Sequence, residues 1–386
     1  MKIEQVAQFT NETLPLIMGE APVANQDLSN IVDIGRQITQ LDSWRSRYIQ
    51  ALVNRIGRWH YVNRIYEGNA PSILMDSWEY GSIMAKFWGT LKEAQNNDSW
   101  NLQDGHEYNM TAYHAEAASA RFWNQMTTYE IEHSVLDHQL NDSFSSADEH
   151  AAFVSMLMTN VTNSLNVRNE NMIMATIRNF VGTVLNAGQN VQKVNLLTAY
   201  NTAHSTSLTV SQAMESAEFI RWAIVEIQLA SRRMSKYTTL FNVGEQQRFT
   251  PSSRLRVIYH DDFRTKVGAF LYNAPSQFNS DWLGLPTGDS VPFWQSPGTG
   301  FLFEDTSAIN VTIATETPGT SATVAQSGII AVLSDQYAMA VCNERDRTYA
   351  HYVKKGEFTN YCHKRECRYM NDPNENGIVF YIAPAA

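Results

Sequence analysis

The stretch GIIAVLSDQYAMAVCNERDRTYAHYVKKGEFTNYCHKRECRYMNDPNENGIVFYIA, residues 328 to 383, carries the clearest structural signal in this chain. It opens on an unbroken apolar run, GIIAVL (328 to 333), and closes on another, GIVFYIA (377 to 383). Such runs are typical of strands that are buried on both faces of a sheet. We therefore expect a buried strand early in this stretch, a closing strand at its end, and a variable basic segment between them.

The segment between those strands contains NYCHKREC (360 to 367), which raises the question of a metal site. A four-ligand zinc site can be drawn from Cys342, His351, Cys362 and Cys367. Structural zinc sites, however, use paired ligands two to four residues apart in tight knuckles, and Lys364, Arg365 and Arg368 would surround the dication. The same positive charges could make Cys362 or Cys367 reactive by lowering the pKa of a thiol. Because no general base or oxyanion site lies nearby in sequence, buried or idle thiols are the favoured interpretation.

The rest of the chain gives no anchor for catalysis. The group His260, Asp261 and Asp262 could ligate a metal or act as an acid/base pair, but it more readily ends a strand and caps the following helix. The sequence has no GxGxxG, GxxxxGK[ST], GxSxG or HExxH motif. The prediction is a protein that is not an enzyme, with no cofactor and no metal.

Composition limits the class of protein further. The 386 residues are 44% hydrophobic and only 18% charged, with a formal net charge of −10. This charge argues against strong binding to nucleic acid or to anionic membranes. No apolar stretch indicates secretion or a membrane span, so no membrane partner is expected. Three cysteines in a chain of this length favour a reducing compartment over a disulfide scaffold.

Two long strands are predicted at residues 73 to 92 and 120 to 136. In the second, Tyr129, Ile131 and His133 alternate with polar residues, which is the period of a strand. Nearly thirty polar residues separate the two strands, and a connection of that length usually marks a functional loop or an arm. The pair therefore indicates a two-stranded extension reaching on the order of 40 Å, which needs a surface to lie on.

Helical spacing dominates elsewhere. Residues 1 to 25 are polar and predict an extended arm, and residues 27 to 59 predict a helix. Further helices are expected at 146 to 187, as nearly one long helix, at 209 to 237, and near 262 to 272, after a strand at 254 to 260. Helices and strands in this order indicate an α+β protein.

The charges are unevenly distributed. No Lys or Arg occurs from Phe122 through Val167, where Glu130 and Glu132 lie, whereas the basic segment carries Lys364, Arg365 and Arg368. Both zones can be solvated faces, which is the usual meaning of a charge run. Alternatively, the acidic zone of one subunit contacts the basic zone of another and fixes the register of assembly. In that case charge reversal at Glu130 and Glu132 weakens assembly, and reversal at Lys364 and Arg365 restores it.

The order of elements from about Tyr66 to the end resembles the Hong Kong 97-type fold of tailed-phage major capsid proteins. The similarity is most specific in residues 234 to 278 (MSKYTTLFNVGEQQRFTPSSRLRVIYHDDFRTKVGAFLYNAPSQF) and in residues 328 to 383, with their Asn-Asp-Pro turn. The resemblance implies four parts: an N-terminal arm and helix (1–65), an E-loop extension (66–135), a peripheral domain with a long spine helix (136–200 and 351–386), and an axial domain (201–350).

The resemblance also implies a function. Such a chain self-assembles into hexamers and pentamers that form an icosahedral head around packaged double-stranded DNA, which it contacts weakly and nonspecifically. Because little chain precedes the extension, a separate scaffolding protein and a portal are the expected partners, with assembly in the host bacterial cytoplasm and a final place in the virion. An encapsulin-like compartment shell is the alternative within the same fold, and a Cys/His metal-dependent enzyme the alternative outside it. Aromatic residues of the extension are candidate contacts between subunits: Trp88, Trp100, Tyr108, Tyr113 and Trp123.

Overall fold

In a computed structural model, the fold is described for part of the chain: residues 7–8, 10–12, 14–15, 24–39, 44, 47–48, 71, 73–75, 84–89, 104–105, 118–123, 126–144, 146–272, 285–295, 306–315, 319–353 and 358–384. The helices in these residues are α1 Ile31–Thr39, α2 Asp137–Ser143, α3 Ala147–Ala187, α4 Leu196–His204, α5 Val210–Glu215, α6 Ala217–Met234 and α7 Asp261–Tyr272. None of the described helices combines the length and the apolar character needed to cross a lipid bilayer.

The strands of the described residues are β1 Leu74–Met75, β2 Met84–Gly89, β3 Ala118–Trp123, β4 Met126–Leu136, β5 Lys193–Asn195, β6 Leu255–His260, β7 Asp289–Val291, β8 Ile309–Ala314, β9 Ser321–Gln326, β10 Ile329–Asp335, β11 Met339–Val353, β12 Phe358–Asn371 and β13 Gly377–Tyr381. They form a five-stranded sheet in the order β5-β13-β10-β6-β7 and a four-stranded sheet in the order β1-β11-β12-β4. Two further pairs, β2–β3 and β8–β9, are separate antiparallel hairpins.

Strand β10 is the centre of the five-stranded sheet, as its apolar sequence predicted. All seven of its residues are buried, and it pairs antiparallel with β13 on one side and β6 on the other. The predictions of a closing strand and of a strand at 254 to 260 followed by a helix are confirmed by β13, β6 and α7.

The four-stranded sheet is where the sequence prediction was wrong. The residues taken as a variable basic segment form β11 and β12, two strands of 15 and 14 residues that pair along their whole length. On the far side of β12, β4 pairs antiparallel from Met126 to Leu136 and confirms the predicted alternation. A polar strand gives no apolar run, so β11 and β12 lack the signal that identified β10.

Helix α3 lies between the two sheets and contacts β8, β9, β11, β12 and β13. Its 41 residues form one continuous helix, as predicted, about 60 Å long at 1.5 Å per residue. The buried positions recur at helical spacing: Val161, Leu165, Ile173, Ile177, Phe180 and Val184. Where α3 meets β13 the packing is tight enough that a Cβ on Gly377 would lie 2.4 Å from the ring of Phe180.

The N-terminal residues are not an extended arm where the structure describes them. Residues 7–8, 10–12 and 14–15 are helical, and Ala7, Thr10 and Leu14 are buried. Their spacing of three and four is that of one helix face, but the intervening polar residues hide it in the sequence. The predicted helix that follows begins at Ile31 instead of residue 27 and is described as α1, with Ile31 and Ile34 buried, and at residues 44 and 47–48. Residues 40–43, 45–46 and 49–59 lie outside the described residues.

His150 lies in a buried cluster where the N-terminal region meets the first turn of α3. Its Nε2 is 3.1 Å from the Tyr48 hydroxyl and its Nδ1 is 3.3 Å from the Ser143 hydroxyl. The imidazole ring stacks on Phe144 at a centroid distance of 4.6 Å. Burial lowers the pKa of His150 from 6.5 to about 4, because a charged imidazolium would lose its hydration there.

This lowered pKa predicts acid sensitivity. Between the unfolded value of 6.5 and the folded value of about 4, the unfolded chain binds a proton that the folded chain does not. The protein therefore keeps its full free energy of unfolding above that pH range. As the pH decreases through the range, the free energy of unfolding falls, by about 2 kcal/mol at about pH 5. Urea unfolding of the monomeric chain at about pH 7.5 and about pH 5 measures the loss. The variant His150→Gln, which stays neutral, is expected to lose less; equal losses would contradict the assignment to His150.

Candidate functional site

Hairpin β2–β3 separates its side chains onto two different faces. The strands pair from Met84↔Trp123 to Gly89↔Ala118, about 20 Å of paired strand. Because alternate residues point to opposite faces, Lys86 and Arg121 share one face, whereas Phe87 and Phe122 share the other. The Phe87 and Phe122 rings make an edge-to-face pair at a centroid distance of 5.8 Å, and they are 72% and 60% exposed.

The charged face of the hairpin is bound to the turn between β12 and β13. Lys86 Nζ pairs with the carboxylates of Asp372, at 3.1 Å, and Glu375. Arg121 Nη1 lies 3.1 Å from the other oxygen of Asp372, whose side chain is fully buried. We call these four residues, Lys86, Arg121, Asp372 and Glu375, the hairpin clasp. It joins parts of the chain that are more than 250 residues apart in sequence.

Further contacts hold the same face. The Arg248 guanidinium lies over the Trp88 ring at 4.9 Å and 3.8 Å from Glu375. The Trp123 indole N–H donates to the Asn371 carbonyl at 3.3 Å. Burial raises the pKa of Glu375 above its ordinary value, against the opposing charges of Lys86 and Arg248. A buried carboxyl of this kind depends on its cations to stay ionised.

These contacts change the choice of contact residues on the extension. Trp123 is buried against its own chain, which leaves little of its side chain for a neighbouring subunit, and half-buried Trp88 faces Arg248. Among the described residues of the extension, the exposed aromatic side chains are Phe87 and Phe122, which the sequence reasoning missed because it could not tell which face of each strand is buried. Trp100, Tyr108 and Tyr113 lie outside the described residues.

The acidic and basic zones are neighbours within one chain. Strand β4 pairs with β12 so that Glu130 is opposite Lys364 and Glu132 is opposite Cys362. Glu130 and Glu132 are exposed and Lys364 is half-buried on that face. Arg365 and Arg368 are only 4% and 8% exposed. Burial in their own subunit leaves little of these two side chains available for a contact with another subunit.

Arg365 instead centres a buried network between the four-stranded sheet and α3. Its Nε and Nη2 donate to the two carboxylate oxygens of Asp346 at 2.5 and 2.6 Å. Its Nη1 donates to Asn169 Oδ1 at 3.3 Å, and the Tyr129 hydroxyl donates to the same oxygen at 3.0 Å. Burial alone would lower the pKa of Arg365, but the hydrogen bonds to Asp346 outweigh it and the pKa is raised.

The three cysteines are not grouped as the four-ligand zinc site would require. Cys362 and Cys367 are five positions apart on β12, so they point to opposite faces; Cys342 and Cys367 are buried and Cys362 is not. Within the described part of the chain, no three His, Cys, Asp or Glu side chains are grouped to hold a metal ion. Burial and the nearby Glu130 raise the pKa of the Cys362 thiol, and burial raises the pKa of Cys367 to about 12. Both shifts are opposite in direction to the lowering that activation by basic neighbours would produce.

His260 ends β6, and Asp261 and Asp262 form the first turn of α7. This is close to the predicted cap, with the acids one or two positions inside the helix, where they favour its dipole. His260 Nδ1 lies 3.8 Å from Asp262 Oδ2, too far for a hydrogen bond. Their surroundings form an open cleft of about 500 Å³ that includes Glu215, Lys266 and Ser307.

Comparison with known proteins gives a consistent result. A family model described as Phi29-like phage major capsid protein matches residues 7–381. No curated protein matches the chain. The capsid structure of Staphylococcus phage Andhra is similar at a TM-score of 0.52 and 12% identity, over 83% of this chain and 86% of that one. The capsid structure of cyanophage P-SCSP1u is similar at 0.47 and 10%, over 83% and 88%.

Proposed function

Since the chain belongs to the Phi29-like phage major capsid proteins and forms the shell of a phage head, we propose that hairpin β2–β3 joins each copy to a neighbouring copy. The likeness to the phage Andhra capsid confirms the Hong Kong 97-type α+β fold that the order of elements suggested. The family also gives the virion capsid as the place where the protein functions. An encapsulin-like compartment and a Cys/His metal-dependent enzyme are not favoured.

The observation that carries this proposal is the exposed Phe87–Phe122 pair on a hairpin whose opposite face is bound to the turn between β12 and β13. Exposed aromatic rings that contact each other contribute little to the stability of a lone subunit, but aromatic side chains are the ones that anchor protein interfaces. A hairpin of this size is marginal alone, and the clasp fixes its charged face to the chain body. The apolar face is thus presented outward in one orientation.

A heterologous contact between hairpin and neighbour closes into rings when the rotation is suitable. We propose that copies of this one chain form hexamers and pentamers, which close into an icosahedral shell. We also propose a separate scaffolding protein, a portal and assembly in the host cytoplasm. Contact with packaged DNA is weak in this proposal, because a net charge of −10 opposes strong phosphate binding. The chain works by association and not by catalysis.

The domain division is also a proposal; it follows the order of elements along the chain, and strand pairing moves two of its segments. We assign residues 1–65 to the N-terminal arm and helix and 66–135 to the E-loop extension. The sheet that packs on α3 contains β11 and β12, so we assign 339–371 to the peripheral domain together with 136–200. Strand β13 pairs with β10, which assigns it to the axial domain with 201–338 instead of the peripheral domain.

The test removes the apolar face without touching the clasp. In Phe87→Ser/Phe122→Ser, the protein concentration needed for assembly is expected to rise about 30-fold, since an anchoring aromatic pair contributes about 2 kcal/mol to a contact. Electron microscopy and light scattering over a concentration series measure this. The subunit itself is expected to keep its far-UV circular dichroism and its unfolding midpoint, because both rings are exposed.

A matched control keeps the chemistry of the face. Phe87→Leu/Phe122→Leu retains apolar side chains at both positions and is expected to assemble within about threefold of the native concentration. Native assembly by the serine variant would show that this face is not the contact. A serine variant that unfolds would instead indicate that the rings support their own subunit.

A further inference from the structure

A second exposed surface combines aromatic and basic side chains at the end of helix α6. Tyr237, Leu240 and Phe249 are 56%, 48% and 42% exposed. The last turn of the helix and the residues after it add exposed cations: Arg232, Arg233 and Lys236. We call these six residues the α6-end patch. In a chain with a net charge of −10, such a concentration of positive charge beside aromatic rings is unusual.

The local backbone explains why these side chains lie together. An antiparallel bridge joins Thr238 to Arg248, whose backbone amides each donate to the other residue's carbonyl at an N to O distance of 3.1 Å. Tyr237 and Phe249 are therefore opposite each other, and their rings lie 4.7 Å apart. Because alternate side chains point to opposite faces, Arg248 faces Trp88 and the hairpin clasp, whereas Tyr237 and Phe249 face outward. The patch is thus the outer side of the element that holds the hairpin.

The same chain carries a surface of complementary character. Four acids are exposed along β4, near the end of α2 and near the start of α3: Glu130, Glu132, Asp142 and Asp148. Leu136, on the same face of β4 as the two glutamates, is 45% exposed. No Lys or Arg occurs from residue 122 to residue 167. We call these five residues the acidic ridge.

We propose that, in the assembled shell, the α6-end patch of one subunit docks on the acidic ridge of a neighbouring copy. This inference rests on the proposed function, because only a shell brings copies of the chain into fixed contact. Two copies of the positive patch would repel each other across a two-fold axis, and so would two copies of the negative ridge. The contact is therefore heterologous, between a patch and a ridge, as a ring of subunits requires. Charges of this kind fix the register of association more than its strength, and the apolar residues of both surfaces lose water together.

DNA is the other macromolecule that a basic and aromatic surface could bind, because cations contact phosphates and rings stack on exposed bases. The second copy is favoured for two reasons. The complementary acidic ridge belongs to this chain itself, and packaged double-stranded DNA offers few unstacked bases for Tyr237 and Phe249 to contact.

The test exchanges charge between the two surfaces. One variant is Arg233→Glu/Lys236→Glu, and the other is Glu132→Lys/Asp142→Lys. The second pair is chosen to spare the fold, since Glu132 is opposite the neutral Cys362 and Asp142 lies near the C-terminus of α2, where a cation is favourable. The control is Arg221→Glu/Arg264→Glu, which changes the net charge equally at two exposed positions elsewhere.

We expect each double variant to need about tenfold more protein for assembly at low salt, and the combined four-residue variant to return to within about threefold of native, because the attraction is restored with its sign reversed. The control is expected to assemble normally. Concentration series followed by light scattering and electron microscopy supply the measurement, with the DNA content of the shells recorded in parallel.

Three outcomes would overturn the inference: normal assembly by both double variants, no recovery in the combined variant, or an effect of the patch variant on DNA content alone. The hairpin proposal is tested separately by Phe87→Ser/Phe122→Ser. If that variant fails to assemble while both charge variants assemble normally, the hairpin contact stands and the patch-to-ridge contact does not. If the hairpin variant assembles and the charge exchange shows the expected pattern, the reverse holds.

Discussion

Asp346→Ala is expected to lower the free energy of unfolding by about 3–5 kcal/mol, because it leaves the buried guanidinium of Arg365 without its counter-charge. Arg365 is 4% exposed and makes two hydrogen bonds to Asp346. The other side chain to which it donates, Asn169, is a neutral amide that it shares with Tyr129. An amide oxygen cannot compensate a full charge that has lost its water. With an m-value of about 3 kcal/mol/M, the urea midpoint falls by about 1 M or more.

The measurement needs unassembled subunits, because a shell adds association energy to the apparent stability. The Phe87→Ser/Phe122→Ser background serves this purpose, since both side chains are exposed and lie on the face of the hairpin opposite the clasp. In that background the double variant Asp346→Leu/Arg365→Met is expected to recover to within about 1–2 kcal/mol of the parent, because removing both charges leaves none to be desolvated. A loss below about 1 kcal/mol for Asp346→Ala would mean that water reaches the guanidinium.

Elements with one simple pattern could be predicted from the sequence. Strand β10 is apolar over its first five residues because both of its faces are covered. Helix α3 repeats apolar residues at three and four along its described length, and β4 alternates. Each of these patterns follows from the burial of one element against its immediate surroundings, so no knowledge of distant residues is needed.

Strands β11 and β12 could not be found in this way, because their inward side chains include a charge. On β12 the inward positions hold His363, Arg365 and Cys367, a set that reads as polar and irregular. Arg365 can be buried only because Asp346 is directly opposite on β11. This register is defined only after the two strands have paired, so the periodicity of neither strand alone predicts it.

The sequence reasoning and the proposal from the structure use opposite sides of the same hairpin. A shift of one residue in a strand moves every side chain to the opposite face. Trp88 and Trp123 were chosen as aromatic residues of the extension. The alternation of side chains along the two strands instead exposes their neighbours, Phe87 and Phe122. The alternation is set by Lys86 and Arg121, which must face Asp372. The clasp partners are too distant in sequence for any local pattern to reveal them.

Lys86→Met is expected to release the hairpin from the chain body. The substitution leaves Asp372 and Glu375, both buried, with only the cations Arg121 and Arg248 among the clasp contacts described. Since Lys86 is 19% exposed, the cost belongs at the low end for a broken buried pair, about 3 kcal/mol, which changes the ratio of docked to released hairpin about 100-fold. Hydrogen exchange of unassembled subunits should show lost protection at residues 84–89 and 118–123, with β10 unchanged.

The consequence for assembly follows from geometry. A released hairpin still carries Phe87 and Phe122, but it no longer presents them in one orientation, so each contact must first restore the docked state and the protein concentration for assembly rises with that cost. Lys86→Arg keeps the charge and is expected to retain protection and assembly, whereas Lys266→Met, on α7, removes one charge without touching the clasp. If Lys86→Met loses protection of the hairpin and still forms shells at the native concentration, the clasp does not orient the contact. If it keeps native protection, Arg121 and Arg248 suffice to hold the hairpin.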